Sequence, residues 1–305
     1  VDGVSFDLAE GETLGIVGES GSGKSVMAMS LLRLIDEPGR IEPGSAIAYR
    51  GRDLMGLSPA ELRRIRGAEI GMVFQDPGAS LNPVLKVGVQ IAETVRAHLP
   101  LSRREAASRA VTLLGQVGVP DPEVRVHAYP HELSGGLQQR VMLAIALSCD
   151  PSVLIADEPT TALDVTVQAQ ILDLLADVTH RRRMATILIS HDLGVVARLA
   201  DRIAVMYGGQ LVEHAVARDL FATPRHPYTE ALLAAAPRLG RSVKRLAAIP
   251  GSVPSAAQWP AGCRFHPRCQ YAWERCRVEL PDMLHAAARH DVRCWLADEP
   301  ARRPS

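Results

Sequence analysis

The chain has 305 residues, 47% of them hydrophobic and 22% charged, with a net charge of zero. Its length allows one large domain with an appendage or two modest domains, and its composition excludes a disordered or collagen-like chain. The charge balance gives no footprint of a nucleic-acid partner, no run approaches the roughly 20 apolar residues that span a bilayer, and the first residues lack the basic and then apolar pattern of a signal peptide, so a cytosolic enzyme with only indirect membrane contact is expected.

The chain opens at Val1 in an alternation of Val4, Phe6 and Leu8 that reads as a strand, so a preceding piece is expected. Residues 14–17, Leu-Gly-Ile-Val, suit a short buried strand. Gly18-Glu19-Ser20-Gly21-Ser22-Gly23-Lys24-Ser25 follows, and then a helical stretch over residues 26–35. In this strand-to-helix context the spacing is among the most specific short signals for a nucleotide's phosphates. Glycines let backbone N–H groups wrap the phosphates, and the helix N-terminus adds partial positive charge. Lys24 then reaches the β- and γ-phosphates while the Ser25 hydroxyl ligates Mg²⁺. Binding and hydrolysis of Mg-ATP are the expectation.

A strand over residues 70–74 leads to Gln75, and the turn-rich Asp76-Pro77-Gly78-Ala79-Ser80-Leu81-Asn82-Pro83 leads into an amphipathic run over 87–97. Leu133-Ser134-Gly135-Gly136-Leu137-Gln138-Gln139-Arg140 opens a long helical run through residue 148. Alone, Ser-Gly-Gly would read as a plain N-cap; its glycines also make a second anion-binding helix start. Residues 152–157 form another buried strand, ending in Asp157 with Glu158 directly after. Asp157 at the strand tip suits an outer partner for Mg²⁺, and Glu158 can polarise the water that attacks the γ-phosphate. The loop Thr161-Ala162-Leu163-Asp164 and a strand over 186–190 ending at His191 complete the series.

The order of these motifs resembles the ATP-binding cassette (ABC) ATPases over residues 1–221. The resemblance implies an α/β fold: a P-loop NTPase (RecA-like) core with an antiparallel β edge and a helical signature subdomain at about 76–148. It also implies roles. Gln75 senses Mg²⁺ and the attacking water, His191 contacts the γ-phosphate, and Asp164 helps join two ATPase halves. The signature, Ser134, Gly135, Gly136, Leu137 and Gln138, closes on the ATP held by a second, homologous ATPase subunit. Leu137 departs from the glutamine often found there. The aromatic that stacks the adenine in the family falls before Val1.

Three kinds of cassette compete. Repair and chromosome-organising ATPases insert a very long coiled coil, whereas the segment from Gln75 to Leu133 is short and lacks sustained heptads. Translation-factor cassettes carry two copies in one chain, and no second Gly-x-x-x-x-Gly-Lys-Ser occurs. A transporter ATPase remains, with the segment after Gln75 expected to receive a permease.

Composition changes after residue 221, so a C-terminal extension over 222–305 is expected. His226-Pro227-Tyr228-Thr229 opens a short helix and Pro250-Gly251-Ser252-Val253-Pro254 a loop. Cys263, Cys269, Cys276 and Cys294 then cluster, whereas Cys149 stands apart as a core thiol. Four thiols in a small cytosolic segment favour a metal over disulfides. Zinc prefers closer pairs, and a [4Fe-4S] cluster tolerates wider spacing, so the cluster is expected with zinc as the alternative. Cys263-Arg264-Phe265-His266-Pro267-Arg268-Cys269, Val292-Arg293-Cys294-Trp295 and the His226 segment resemble the C-terminal domain of oligopeptide and dipeptide importer ATPases. That likeness implies two membrane permease subunits, a second ATPase in a heterodimer, an extracytoplasmic peptide-binding protein, and a seat on the cytoplasmic side of the inner membrane. Nickel, glutathione and other small-solute importers use related cassettes.

Overall fold

The computed structural model describes residues 1–161, 163–235 and 249–303. Its strands are β1 (Thr13–Val17), β2 (Ala48–Tyr49), β3 (Arg52–Asp53), β4 (Ile70–Val73), β5 (Val153–Asp157), β6 (Ala185–Ser190), β7 (Arg202–Tyr207), β8 (Gln210–Val216), β9 (Leu284–Ala287) and β10 (His290–Val292). The α-helices are α1 (Lys24–Leu31), α2 (Pro59–Ile65), α3 (Pro77–Ser80), α4 (Val87–His98), α5 (Arg103–Gln116) and α6 (Pro122–Arg125). They continue with α7 (Gly135–Ala146), α8 (Val165–Arg182), α9 (Leu193–Leu199), α10 (Ala217–Ala222), α11 (Pro227–Ala235) and α12 (Glu274–Val278).

The chain divides into two compact units, and the division passes through α1 and β6. One comprises Val1–Leu8, Thr13–Met27 and Leu188–Ser305; the other comprises Ala9–Glu12 and Ala28–Ile187.

In the first unit β1 pairs in parallel with β7, aligning Gly15 with Ile203 and Val17 with Val205. The sheet then turns antiparallel, through β8 on β7 and β10 on β8 to β9 on β10. β1 is apolar because it is buried, and Gly15 within it lets α9 approach: a Cβ there would lie 2.1 Å from Val196 Cγ1. The C-terminal residues share this unit's core. Tyr207 of β7, Tyr228 of α11 and Phe265 form an aromatic cluster with centroids 4.6 to 5.3 Å apart. Glu213 of β8 is fully buried and accepts from the backbone N–H groups of Arg225 and His226 and pairs with His290 Nε2 at 2.6 Å. Burial pushes its carboxyl up, but these partners outweigh it and hold it below the usual carboxylate range.

In the second unit β4 and β5 pair in parallel, Ile70 opposite Val153 and Val73 opposite Ala156. Helices α4, α5 and α7 pack a common core. Val87, Ile91 and Val95 repeat every four residues along α4, which places one apolar stripe inward. Ser102 and Glu105 form a reciprocal capping box that starts α5. All three helices lie within residues 76–148.

Three elements differ from expectation. Residues 1–8 keep the alternation in burial, with Val4, Phe6 and Leu8 half-buried and Ser5 and Asp7 exposed, yet they form no strand among the described residues. Alternation reports a half-buried extended segment, not a hydrogen-bonded ladder. Helix α1 stops at Leu31 rather than 35, because Arg33 turns left-handed (φ 52°) and Leu34 N–H returns to Met29 O. Within the turn-rich stretch, α3 forms because Asp76 caps it, accepting from the N–H groups of Gly78 and Ala79, with Pro77 at its first position.

Candidate functional site

The glycine loop in the first unit has the backbone that its sequence demands. Gly21 and Gly23 adopt φ of 81° and 99°, and Gly18 lies so close to β7 that a Cβ would sit 2.2 Å from Met206 O. Helix α1 starts at Lys24, so the loop's N–H groups belong to a helix N-terminus. The Lys24 side chain folds back over the loop, Nζ donating to Gly18 O at 2.7 Å and Glu19 O at 3.1 Å, and only 5% of the residue is exposed. Ser22 is fully buried, and its Oγ has no hydrogen-bond partner among the described residues. Ser20 and Gly21 are exposed and Ser25 is half-buried on the first turn of α1. His191, also in this unit, is exposed between β6 and α9, where Asp192 caps α9 through Gly194 N–H.

The acidic pair stands in the second unit at the end of β5. Asp157 is 4% exposed; Glu158 is half-buried and takes a left-handed φ of 47°. That conformation costs a non-glycine residue roughly 1–2 kcal/mol. Glu158 Oε2 accepts from Thr161 Oγ1 at 2.7 Å and from Gln75 Nε2 at 3.2 Å. The structure thus brings Gln75 and Glu158 together from the tips of two neighbouring strands.

The signature forms the start of α7. Ser134 and Gly135 are exposed at its N-terminus, with Ser134 at the N-cap and its side chain not used for capping. Gln138 ties back to the preceding turn, donating to Pro130 O at 2.8 Å and Leu133 O at 3.2 Å. Leu137 packs against the helical core, and Gly136 lies against α8, where a Cβ would meet Val167 Cγ1 at 2.7 Å. Asp164 caps α8, accepting from the N–H groups of Thr166 and Val167, both at 3.0 Å. Ala162 of the same loop lies outside the described residues.

Cys263, Cys269, Cys276 and Cys294 line one cavity of the first unit together with Trp273. All are free thiols. Burial pushes Cys263 up to about 11 and Cys269 and Cys294 up to about 12, and the neighbouring thiols add to each shift. Among the described residues no group of three or more His, Cys, Asp or Glu is placed to hold a metal ion. Cys149 is half-buried rather than in the core, and it lies apart from these four in sequence.

With this geometry in place, comparison with known proteins decides the family. Residues 1–161 match the ABC transporter family. The chain belongs to it. Residues 212–276 match a second family, the oligopeptide/dipeptide transporter C-terminal region. The ABC chain is 48% identical to the dipeptide transport ATP-binding protein DppD of Escherichia coli over all 305 of its residues and 93% of that protein. It is also 48% identical, over the same shares, to the oligopeptide transport ATP-binding protein AppD of Bacillus subtilis. Among solved structures, it is similar to an ATP-binding cassette captured as a dimer after hydrolysis with ADP and Pi bound. The TM-score is 0.62 and the identity 29%, covering 70% of this chain and 88% of that one. The fold is therefore the α/β P-loop fold of ABC ATPases, with a mixed sheet and helices. No helix among the described residues is long and apolar enough to cross a membrane.

Three features of this ABC chain were not legible in the sequence. The left-handed turn at Glu158 has no local signal, because no glycine or asparagine marks it. Thr161 reads as part of the downstream loop, although its spacing of three from Glu158 could have suggested the contact. Glu19 is held by Tyr228 and Arg268, which lie 209 and 249 residues away, and no local pattern reaches that far.

Proposed function

We propose that this chain is the ATP-hydrolysing subunit of an importer of dipeptides and oligopeptides, and that it couples ATP binding and hydrolysis to their uptake. The observation that carries the reading is the match of residues 212–276 to the oligopeptide/dipeptide transporter C-terminal region on a chain that is otherwise an ABC ATPase. In this reading residues 1–221 are the nucleotide-binding domain and 222–305 the extension. The chain sits at the cytoplasmic face of the inner membrane under two permease subunits. It forms a heterodimer with a homologous ATPase, and an extracytoplasmic binding protein delivers the peptide.

The residues support distinct tasks. The N–H groups of residues 18–25 and the Lys24 ammonium suit a polyphosphate, since both supply positive charge in a half-buried setting. Lys24 rests on two backbone carbonyls, from which it can turn to phosphate oxygens without leaving a charge buried alone. Ser25, Asp157 and Gln75 offer the oxygen donors that Mg²⁺ prefers, and bound Mg²⁺ would offset the phosphate charge. Glu158 is the base that orients and deprotonates the attacking water, and Gln75 and Thr161 hold its carboxylate. His191 contacts the γ-phosphate. Ser134, Gly135, Gly136, Leu137 and Gln138 present a helix N-terminus to the partner subunit's nucleotide, and Asp164 steadies the loop at that junction.

A [4Fe-4S] cluster on Cys263, Cys269, Cys276 and Cys294 belongs to the same proposal. The shared cavity and the soft donor set support it. Cys263, Cys269 and Cys294 are raised far enough to need a cation to become thiolates, and bound iron would supply that charge.

Replacing Glu158 with Gln tests the assignment of the base. Mg-ATP binding is expected to persist while turnover falls about 10²- to 10⁴-fold, the usual contribution of a general base. Turnover near the parent level would remove Glu158 from that role.

A further inference from the structure

The glycine loop is braced from outside its own strand and helix. Glu19, its second residue, is held at both ends. Its backbone N–H donates to Tyr228 Oη at 2.8 Å. Its carboxylate takes a bidentate grip from Arg268, with Nη1 to Oε2 at 2.7 Å and Nη2 to Oε1 at 3.0 Å. Only 5% of the Arg268 side chain is exposed, so water screens the pair little.

Each holder is itself fixed. Arg268 Nε donates to Pro250 O at 2.7 Å, Nη2 also reaches Ile249 O at 3.2 Å, and the guanidinium lies 5.7 Å from the Tyr207 ring centroid. Tyr228 is fully buried against Tyr207 and Phe265. Its hydroxyl reaches Glu19 from a ring packed on both of these neighbours.

A loop that wraps phosphates with backbone amides binds best when those amides already converge, because ordering them on binding costs affinity. Its glycines give the necessary path but add freedom. Glu19 stands between Gly18 and Ser20, and its carbonyl, with that of Gly18, receives the Lys24 ammonium. Fixing Glu19 therefore fixes both the loop's path and the resting place of Lys24.

We propose that Arg268 and Tyr228 are positioning residues for ATP binding, clamping Glu19 so that the C-terminal segment preorganises the phosphate loop. The inference deepens the proposed function and rests on its reading of residues 18–25 as the ATP loop. A tie that served only to hold the C-terminal segment in place would affect melting and leave nucleotide affinity alone. A clamp on the loop must change affinity.

The experiment uses the full chain and its variants Arg268→Gln, Arg268→Lys and Tyr228→Phe, with Lys24→Ala as the control for the loop. Thermal melting, Mg-ATP affinity by calorimetry, and steady-state kcat and KM are measured for each. Preorganisation serves ground and transition states alike, so KM and Kd should rise while kcat stays within about twofold. The expected rise is about tenfold for Arg268→Gln and Tyr228→Phe, within the roughly 5- to 150-fold span of coupled sites. Arg268→Lys keeps the charge but not the fork and should fall between. Tyr228→Phe removes one oxygen from a filled core, so it decides the matter even where Arg268→Gln fails to fold. Parent-like Mg-ATP affinity in folded Tyr228→Phe and Arg268→Lys, with Lys24→Ala defective, would overturn the clamp and leave the ATP loop standing. A parent chain whose Mg-ATP affinity matches that of Lys24→Ala would overturn the loop reading and the clamp with it.

Discussion

The Glu158 carboxylate is held by two neighbours, Thr161 Oγ1 donating at 2.7 Å and Gln75 Nε2 at 3.2 Å. Its type, its place after a buried strand and its neighbour Asp157 are legible, and they are enough to nominate a base. Its left-handed φ and its partners Gln75 and Thr161 are not, because they depend on where two strands end. His226 makes the same point with a testable consequence. It reads as the opening of a short helix, but the structure buries it completely, with Nδ1 accepting from Tyr228 N–H at 3.0 Å. Burial lowers it from 6.5 to about 4, so the folded chain holds it neutral where the unfolded chain would protonate it. The stability it contributes is complete above about pH 6.5 and is lost as pH falls toward 4. Melting temperature should therefore drop across that window in the parent and drop less in His226→Asn, whose side-chain oxygen can accept the same N–H. Equal pH slopes in the two proteins would refute this.

At the scale of elements, periodicity and caps identified most of the fold. The apolar runs at 14–17, 70–74, 152–157 and 186–190 became β1, β4, β5 and β6, because a strand buried on both faces must be apolar throughout. The amphipathic run at 87–97 became α4 and the signature became α7. Failures had two causes: residues 1–8 alternate without a ladder, because pairing depends on a partner strand, and α1 ends on a local left-handed turn at an arginine, a residue type that does not signal one. The cysteine segment lies between these cases. Its four thiols share one cavity as the spacing suggested, yet no three of them are placed to hold a metal ion. Purification without oxygen followed by iron and acid-labile sulfide assays should yield about four of each per chain if a [4Fe-4S] cluster is bound. One equivalent of zinc without sulfide would replace the cluster with the alternative metal.

For the whole molecule, the family follows from short stretches, and the comparisons bear it out, with a family match over residues 1–161 and a relative 48% identical over all 305 residues. The contribution of the C-terminal segment was less legible. Sequence separates it at residue 221, but in the structure β10 extends the sheet through β8, Tyr228 and Phe265 enter the core of the first unit, and Arg268 reaches the phosphate loop. The extension is thus built into the unit that carries Lys24. In the proposed reading this joins the two halves, because the segment that matches peptide transporters also holds Glu19 of the glycine loop.

The most direct measurement is uptake of a labelled dipeptide by proteoliposomes carrying the complete transporter, with its binding protein outside and ATP inside. Uptake should require ATP and fall to background when this subunit carries Glu158→Gln. Dipeptide uptake that continued undiminished with Glu158→Gln would contradict the claim that hydrolysis by this chain drives import.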